Sequence, residues 1–129
     1  MNDPTPRPLE WVGSSLDDLR EFPDEVRAHM GFALYQAQIG LKHRDAKPLA
    51  GIGTGILEIA TRFDKGTYRA MYTVRFQSAV YVLHAFQKKS KHGISTPKAE
   101  MDLVRKRLMA AEGHYQRHYE MAEDTHETP

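Results

Sequence analysis

The chain has no cysteine among its 129 residues, so disulfide bonds, thiolate catalysis and thiolate metal sites are excluded. It has no apolar run long enough to cross a bilayer, so no membrane partner is expected. The opening residues, MNDPTPRP, lack the apolar stretch of a secretory signal, and a cytoplasmic location is expected. Internal repeats and low-complexity blocks are also missing. The charge is nearly balanced, at +1, which argues against a chain that is cationic all over.

What is present is an ordinary globular composition, 40% hydrophobic and 27% charged, at a length that suits one domain. The charge is unevenly placed. Between Arg62 and Arg107 there are 11 Lys/Arg against 3 Asp/Glu, and the remainder carries 7 against 14. Such asymmetry can focus a positive field on one face, as phosphate binding requires; solvated helix charges would give the same count.

The most informative stretch is Thr67–Ser90, TYRAMYTVRF-QS-AVYVLHAFQKKS. Two runs rich in Tyr, Val and Phe flank a polar pair, the pattern of an antiparallel hairpin. Alternation puts Tyr68, Ala70, Tyr72, Val74 and Phe76 on one face and Arg69, Met71, Thr73 and Arg75 on the other. A two-residue turn at Gln77-Ser78 sets Phe76 opposite Ala79 and Met71 opposite His84. Arg69, Arg75, His84 and Lys88 then share an open cationic face.

Upstream, Met1–Pro8 reads as a loose tail and Leu9–Val12 as a short strand. Ser15 is expected to cap a helix over Leu16–Glu21, and Pro23 to open a second one. The second helix has a buried stripe at Val26, Met30, Ala33, Ala37 and Leu41 and stops at Gly40. Residues 42–55 read as a loop whose glycines only superficially resemble a phosphate loop. Ile56–Phe63 is a strand presenting Glu58, Ala60 and Arg62 on its polar face, followed by a three-residue turn, Asp64–Gly66. Thr96 caps and Pro97 opens a last helix, with a seam at Met101, Val104, Leu108, Ala111 and Tyr115. Residues 121–129 read as an acidic tail. The expected fold class is α+β: two N-terminal helices packed on a twisted antiparallel sheet of about four strands, with the C-terminal helix near its edge, in a single domain over 9–120.

This order of elements, with the segments LEWVGSSLDDLREFP, AKPLAGIG, LEI, TYRAMYTVRF, VYVLHAFQKKSK and TPKAEMDLVRKRL, resembles the RelE/ParE superfamily of bacterial toxins, in its HigB-like, phage-derived branch. The likeness runs from about Leu9 to Leu108. It implies a RelE-like fold and a toxin of a type II toxin–antitoxin pair, acting on the ribosome as an endoribonuclease that cuts mRNA and arrests translation. It also implies a cognate antitoxin, often a helix-turn-helix DNA-binding protein, that covers the sheet face or displaces the last helix. By motif, Arg69, Lys88 and Lys89 fall on basic catalytic positions with His84 beside them. Many relatives carry arginine where this chain has Ala60; Arg62, two residues on, could substitute. Two further readings follow from the same resemblance: a ParE-like inhibitor of gyrase, and a decayed prophage protein that binds RNA or antitoxin without chemistry.

Metal-independent RNA cleavage needs a base for the 2′-hydroxyl, cations for the transition-state phosphate and an acid for the leaving oxygen; no cofactor is expected. Arg69 suits the phosphate. Lys88 and Lys89 add charge and a proton source, and His84 or Glu58 could be the base. Arg62, Arg75, Lys47 and Lys91 are candidate substrate contacts. Each residue also has a plainer reading: Arg69 as an ion-pair partner of Glu58, His84 as a satisfied strand histidine, the lysines as a solvated strand end. His114 and His118, one helical turn apart, could share a metal, but no third ligand is evident.

Overall fold

The computed structural model describes residues 5–88 and 96–120. In chain order it contains strand β1 (Leu9–Trp11), helices α1 (Ser15–Arg20) and α2 (Asp24–Gln38), and strands β2 (Ala46–Pro48), β3 (Ile56–Phe63), β4 (Gly66–Thr73) and β5 (Val80–Lys88). Helix α3 (Lys98–Tyr115) follows and is continued by a wider π turn, Gln116–Glu120. No helix of the described residues is long and apolar enough to cross a membrane. The expected tail 121–129 and residues 1–4 lie outside the described residues.

The strands form one sheet in the order β1-β5-β4-β3-β2. β3, β4 and β5 are antiparallel, as the alternating pattern predicts. Two short strands make the sheet larger and mixed. β1 joins β5 in parallel, Leu9 opposite Val80, and β2 pairs antiparallel with β3 inside what reads as a loop. Arg7 and Pro8, expected in the tail, are tied down: the Arg7 guanidinium donates to the carbonyls of Ala37 (2.7 Å) and Phe76 (3.1 Å), and Pro8 O accepts from Val80 N.

Side-chain parity builds two cores. On the first sheet face Leu57, Ile59, Ala70, Tyr72, Val80, Val82 and Ala85 meet Leu19 of α1 and Val26, Met30, Ala33, Leu34 and Ala37 of α2. On the second, Ile56, Met71, Tyr81 and Leu83 meet Val104, Leu108, Ala111 and Tyr115 of α3. Each fully buried Val, Leu or Ile contributes roughly 1.5–3 kcal/mol, so both faces are committed to burial. The last helix therefore lies across the second face and not at the sheet edge.

Local details refine the sequence expectations. Met71 does pair with His84, but a bulge follows and Tyr72 pairs with Val82, so residues 74–79 close the hairpin in place of a two-residue turn. Phe76 consequently leaves its expected face and stacks on Tyr115 in the second core (4.6 Å). The β3–β4 turn is the two residues Asp64 and Lys65, both at positive φ (47° and 68°), with Phe63 opposite Gly66; this is the twist-matched type I′ geometry. Ser15 is buried and donates to Val82 O, so it does not cap α1. Pro23 and Pro97 stand just before their helices, neither with a side-chain cap. Leu41 of the expected stripe is exposed.

α2 ends in a Schellman arrangement: Leu41 N donates to Gln36 O and Gly40 N to Ala37 O, with Gly40 at φ +85°. A Cβ at Gly40 would meet nothing within 4 Å, so its cost is backbone strain alone. Gly31, in the exposed face of α2, is also unobstructed but helical. Opposite effects are expected in urea unfolding. Gly40→Ala destabilises by about 1 kcal/mol, and Gly31→Ala stabilises by about 0.5–1 kcal/mol.

Candidate nucleic-acid interface

The register sets the second sheet face out in cross-strand rows: Lys47–Glu58–Met71–His84, then Ala60–Arg69–Phe86, then Arg62–Thr67–Lys88. α3 runs antiparallel to β5, with Glu100 against His84 and Tyr115 against Ser78. Its start lies over the polar end of these rows, and the β2–β3 side stays open.

That open side is a groove of about 510 Å³ lined by Arg44, Asp45, Lys47, Glu58, Ala60 and Arg69. Arg44 and Lys47 are exposed, whereas Arg69 is only 9% exposed. Arg69 reaches diagonally across the β3–β4 pair, and its Nη1 donates to Glu58 Oε1 at 2.8 Å. Thr96 Oγ1 donates to the other carboxylate oxygen at 3.0 Å; the hydroxyl expected to cap α3 instead fixes Glu58. The hydrogen bond from His29 holds the Asp45 carboxyl below the usual carboxylate range. The ion-pair reading of Arg69 is thus realised, inside a cleft that also gathers Arg44 and Lys47. Such a cleft can grip an anion between a planar fork and two exposed cations beside a fixed carboxylate.

His84 shares the sheet face of Arg69 but not its groove. It is 5% exposed and lines a separate cleft of about 380 Å³ with Asp18, Glu21, Phe86 and Glu100 among its walls. Arg107 Nη1 faces His84 Nδ1 at 3.3 Å. A guanidinium only donates, so Nδ1 accepts and Nε2 gives its proton to Glu100 (2.7 Å). Both ring nitrogens are engaged in holding α3 to β5.

The other expected contacts are spread. Lys88 is buried, and Arg62 is exposed beyond the groove on the polar face of β3. Arg75 leaves the strand face: its Nε and Nη2 donate to Thr54 O (3.3 and 3.2 Å), and its Nη1 pairs with Glu112 at 3.5 Å. Lys89 and Lys91 lie outside the described residues. Sequence reasoning missed Arg44 and Asp45 of the groove wall, which stand in the segment read as loop, and Thr96 as the anchor of Glu58.

The family model described as "Phage derived protein Gp49-like (DUF891)" matches residues 17–109. The chain belongs to this family. A comparison with curated proteins returns no match. Among solved structures, this Gp49-like protein is similar in fold to a double arginine-to-alanine mutant of the E. coli toxin RelE in its free state. The TM-score is 0.52 and the identity 18%, over 83% of this chain and 98% of that one. It also aligns with the RelBE2 toxin–antitoxin complex of Mycobacterium tuberculosis, with TM-score 0.42 and identity 21%, over 67% of this chain and 95% of that one. The fold is RelE-like, as the sequence resemblance implies.

The Glu58–Arg69 pair has side chains only 16% and 11% exposed, so removing Arg69 takes the counter-charge from a nearly buried carboxylate. Arg69→Met is expected to destabilise the Gp49-like chain by on the order of 3 kcal/mol. Glu58→Met added to it should recover at least half, measured as a double-mutant cycle by chemical denaturation.

Proposed function

We propose that the chain is the toxin of a type II toxin–antitoxin pair and an endoribonuclease that cuts mRNA on the ribosome. The reading rests on one observation above the rest. In a RelE-like fold, Arg44, Lys47 and Arg69 converge around Glu58 in an open groove on the sheet. Family membership and the RelE-like fold support it.

In this scheme Arg69 binds the scissile phosphate and stabilises its transition-state charge, with Lys47 and Arg44 holding the flanking backbone. Glu58, anchored by Thr96, takes the 2′-hydroxyl proton. Lys88, at the far end of β5, and Lys89, next in sequence, supply charge and the proton for the leaving oxygen. His84 acts from its own cleft by positioning α3. Where Ala60 replaces the arginine of many relatives, Arg44 enters the same groove from the neighbouring loop and supplies a cation. The partner is a helix-turn-helix antitoxin that neutralises the toxin by covering the groove.

Purified ribosomes carrying a defined message provide the test. The wild-type chain should cut the message without added metal. Arg69→Lys, which keeps the charge but loses the fork, should cut on the order of 10²-fold more slowly. Lys47→Ala, on the exposed edge strand, should weaken cleavage about tenfold or less, mostly through binding. Uncut messages in cells arrested by induced expression, with DNA damage in their place, would overturn the ribonuclease reading in favour of a gyrase target.

A further inference from the structure

His29 in α2, His43 in the following loop and Asp45 just before β2 meet at the rim of the groove, and one donor atom from each lies within 4.8 Å of the other two. Asp45 Oδ2 stands 2.9 Å from His29 Nε2 and 3.8 Å from His43 Nδ1. The two imidazoles contact edge to face at 5.0 Å. Among the described residues this is the one such grouping of three; His114 and His118 lie tilted at 4.2 Å between ring centroids without a third ligand.

The surroundings orient both rings. His29 Nδ1 is 2.6 Å from Thr61 Oγ1 on β3. Without metal, Nε2–H donates to Asp45 and Nδ1 accepts the Thr61 hydroxyl. With metal the ring takes the other tautomer, Nδ1–H donating to Thr61 Oγ1 and the Nε2 lone pair facing the ion, the outer-shell arrangement that supports a ligating imidazole. His43 is 7% exposed, packs edge-on against Phe32, and receives the Asp45 amide N–H on Nδ1 at 3.0 Å.

We infer that His29, His43 and Asp45 form a site for a transition-metal dication, with Zn2+ the best match. Two imidazoles and one carboxylate suit Zn2+; Mg2+ and Ca2+ prefer all-oxygen shells. Zn2+ with bonds of roughly 2.0–2.1 Å keeps tetrahedral ligand atoms roughly 3.4 Å apart. The two distances to Asp45, 2.9 and 3.8 Å, straddle that value, and all three donor atoms already lie within 4.8 Å of one another, so side-chain adjustments of about 1 Å complete the set. Binding exchanges the Asp45 amide bond at His43 for a metal bond, and half-exposed Asp45 leaves the fourth position to water. The ion joins α2, the loop after it and the edge strand β2, fixing the rim that carries Arg44 and Asp45. Asp45 shares the groove wall with Glu58 and Arg69, but the ion takes no part in the cleavage scheme.

The test reads binding and stability, not activity, so its failure is separate from failure of the proposed function. The full chain, stripped with a chelator, is titrated with Zn2+ in a calorimeter and melted with and without the ion. One equivalent should bind, the melting midpoint should rise, EDTA should reverse the rise, and Mg2+ should produce neither effect. Asp45→Ala and His29→Gln should each weaken binding at least about tenfold. A His114→Gln/His118→Gln chain should bind as the parent does. Absence of Zn2+ binding, equal binding by the Asp45→Ala chain, or loss only in the His114/His118 variant would overturn the site. Asp45 is half-exposed, so its variant decides the matter even if His29→Gln fails to fold.

Discussion

The structure turns on how much of the second sheet face α3 covers. Strand alternation commits both faces of β4 and β5 to burial, so a helix must lie on each. α3 meets that need over Met71, Tyr81 and Leu83, whose apolar side chains match Val104, Leu108 and Ala111. It leaves open the β2–β3 side, where Glu58 and Ala60 stand with Arg69 beside them. A groove exists because the apolar part of the face ends before the sheet does.

Three arginines hold this half-covered arrangement, and glycines make room for two of them. Arg107 reaches Leu83 O at the β5 bulge, His84, and Ser14 Oγ before α1. A Cβ on Gly13, at φ +57°, would sit 2.8 Å from its guanidinium. Arg75 is bound to Thr54 O and Glu112, and a Cβ on Gly53 would stand 2.9 Å from its Nη2. The glycine segment is therefore a seat for an arginine and not a cradle for phosphate. Arg7 joins the C-terminus of α2 to the carbonyl of Phe76. Much of the positive charge that sequence reasoning credits to an open face is spent on fastening loops and helices together.

Period-two and period-four patterns made the three long strands and the helices readable, because burial sets those side chains one by one. Met71 opposite His84 follows from counting alone. The count fails one residue later, since an extra residue in β5 changes the register without changing composition. β2 was hidden because three residues containing a proline carry no periodic signal, and an edge strand needs only one neighbour. Placing α3 on the second face was inferable: Met71, Tyr81 and Leu83 could not have been left in water. Once it is there, His84 must be covered and engaged on both nitrogens. Arg44, Asp45, His29 and His43 were beyond reach, since four residues from a helix and a loop converge only through tertiary folding.

The groove's chemistry depends on which member of its buried pair can move. Glu58 is held twice, by Arg69 at 2.8 Å and by Thr96 at 3.0 Å. Arg69 is drawn to the carboxylate from a neighbouring strand, at the end of a long flexible side chain. In the proposed scheme an incoming phosphate, which can take both arms of the guanidinium fork, competes with Glu58 for Arg69. The carboxylate, still fixed by Thr96, would remain beside the phosphate with one oxygen newly unoccupied. Ala60, opposite Arg69, supplies the space in which that exchange can happen. In the proposed scheme a small residue at that position leaves room on the groove floor, and exposed Arg44 supplies charge from the rim.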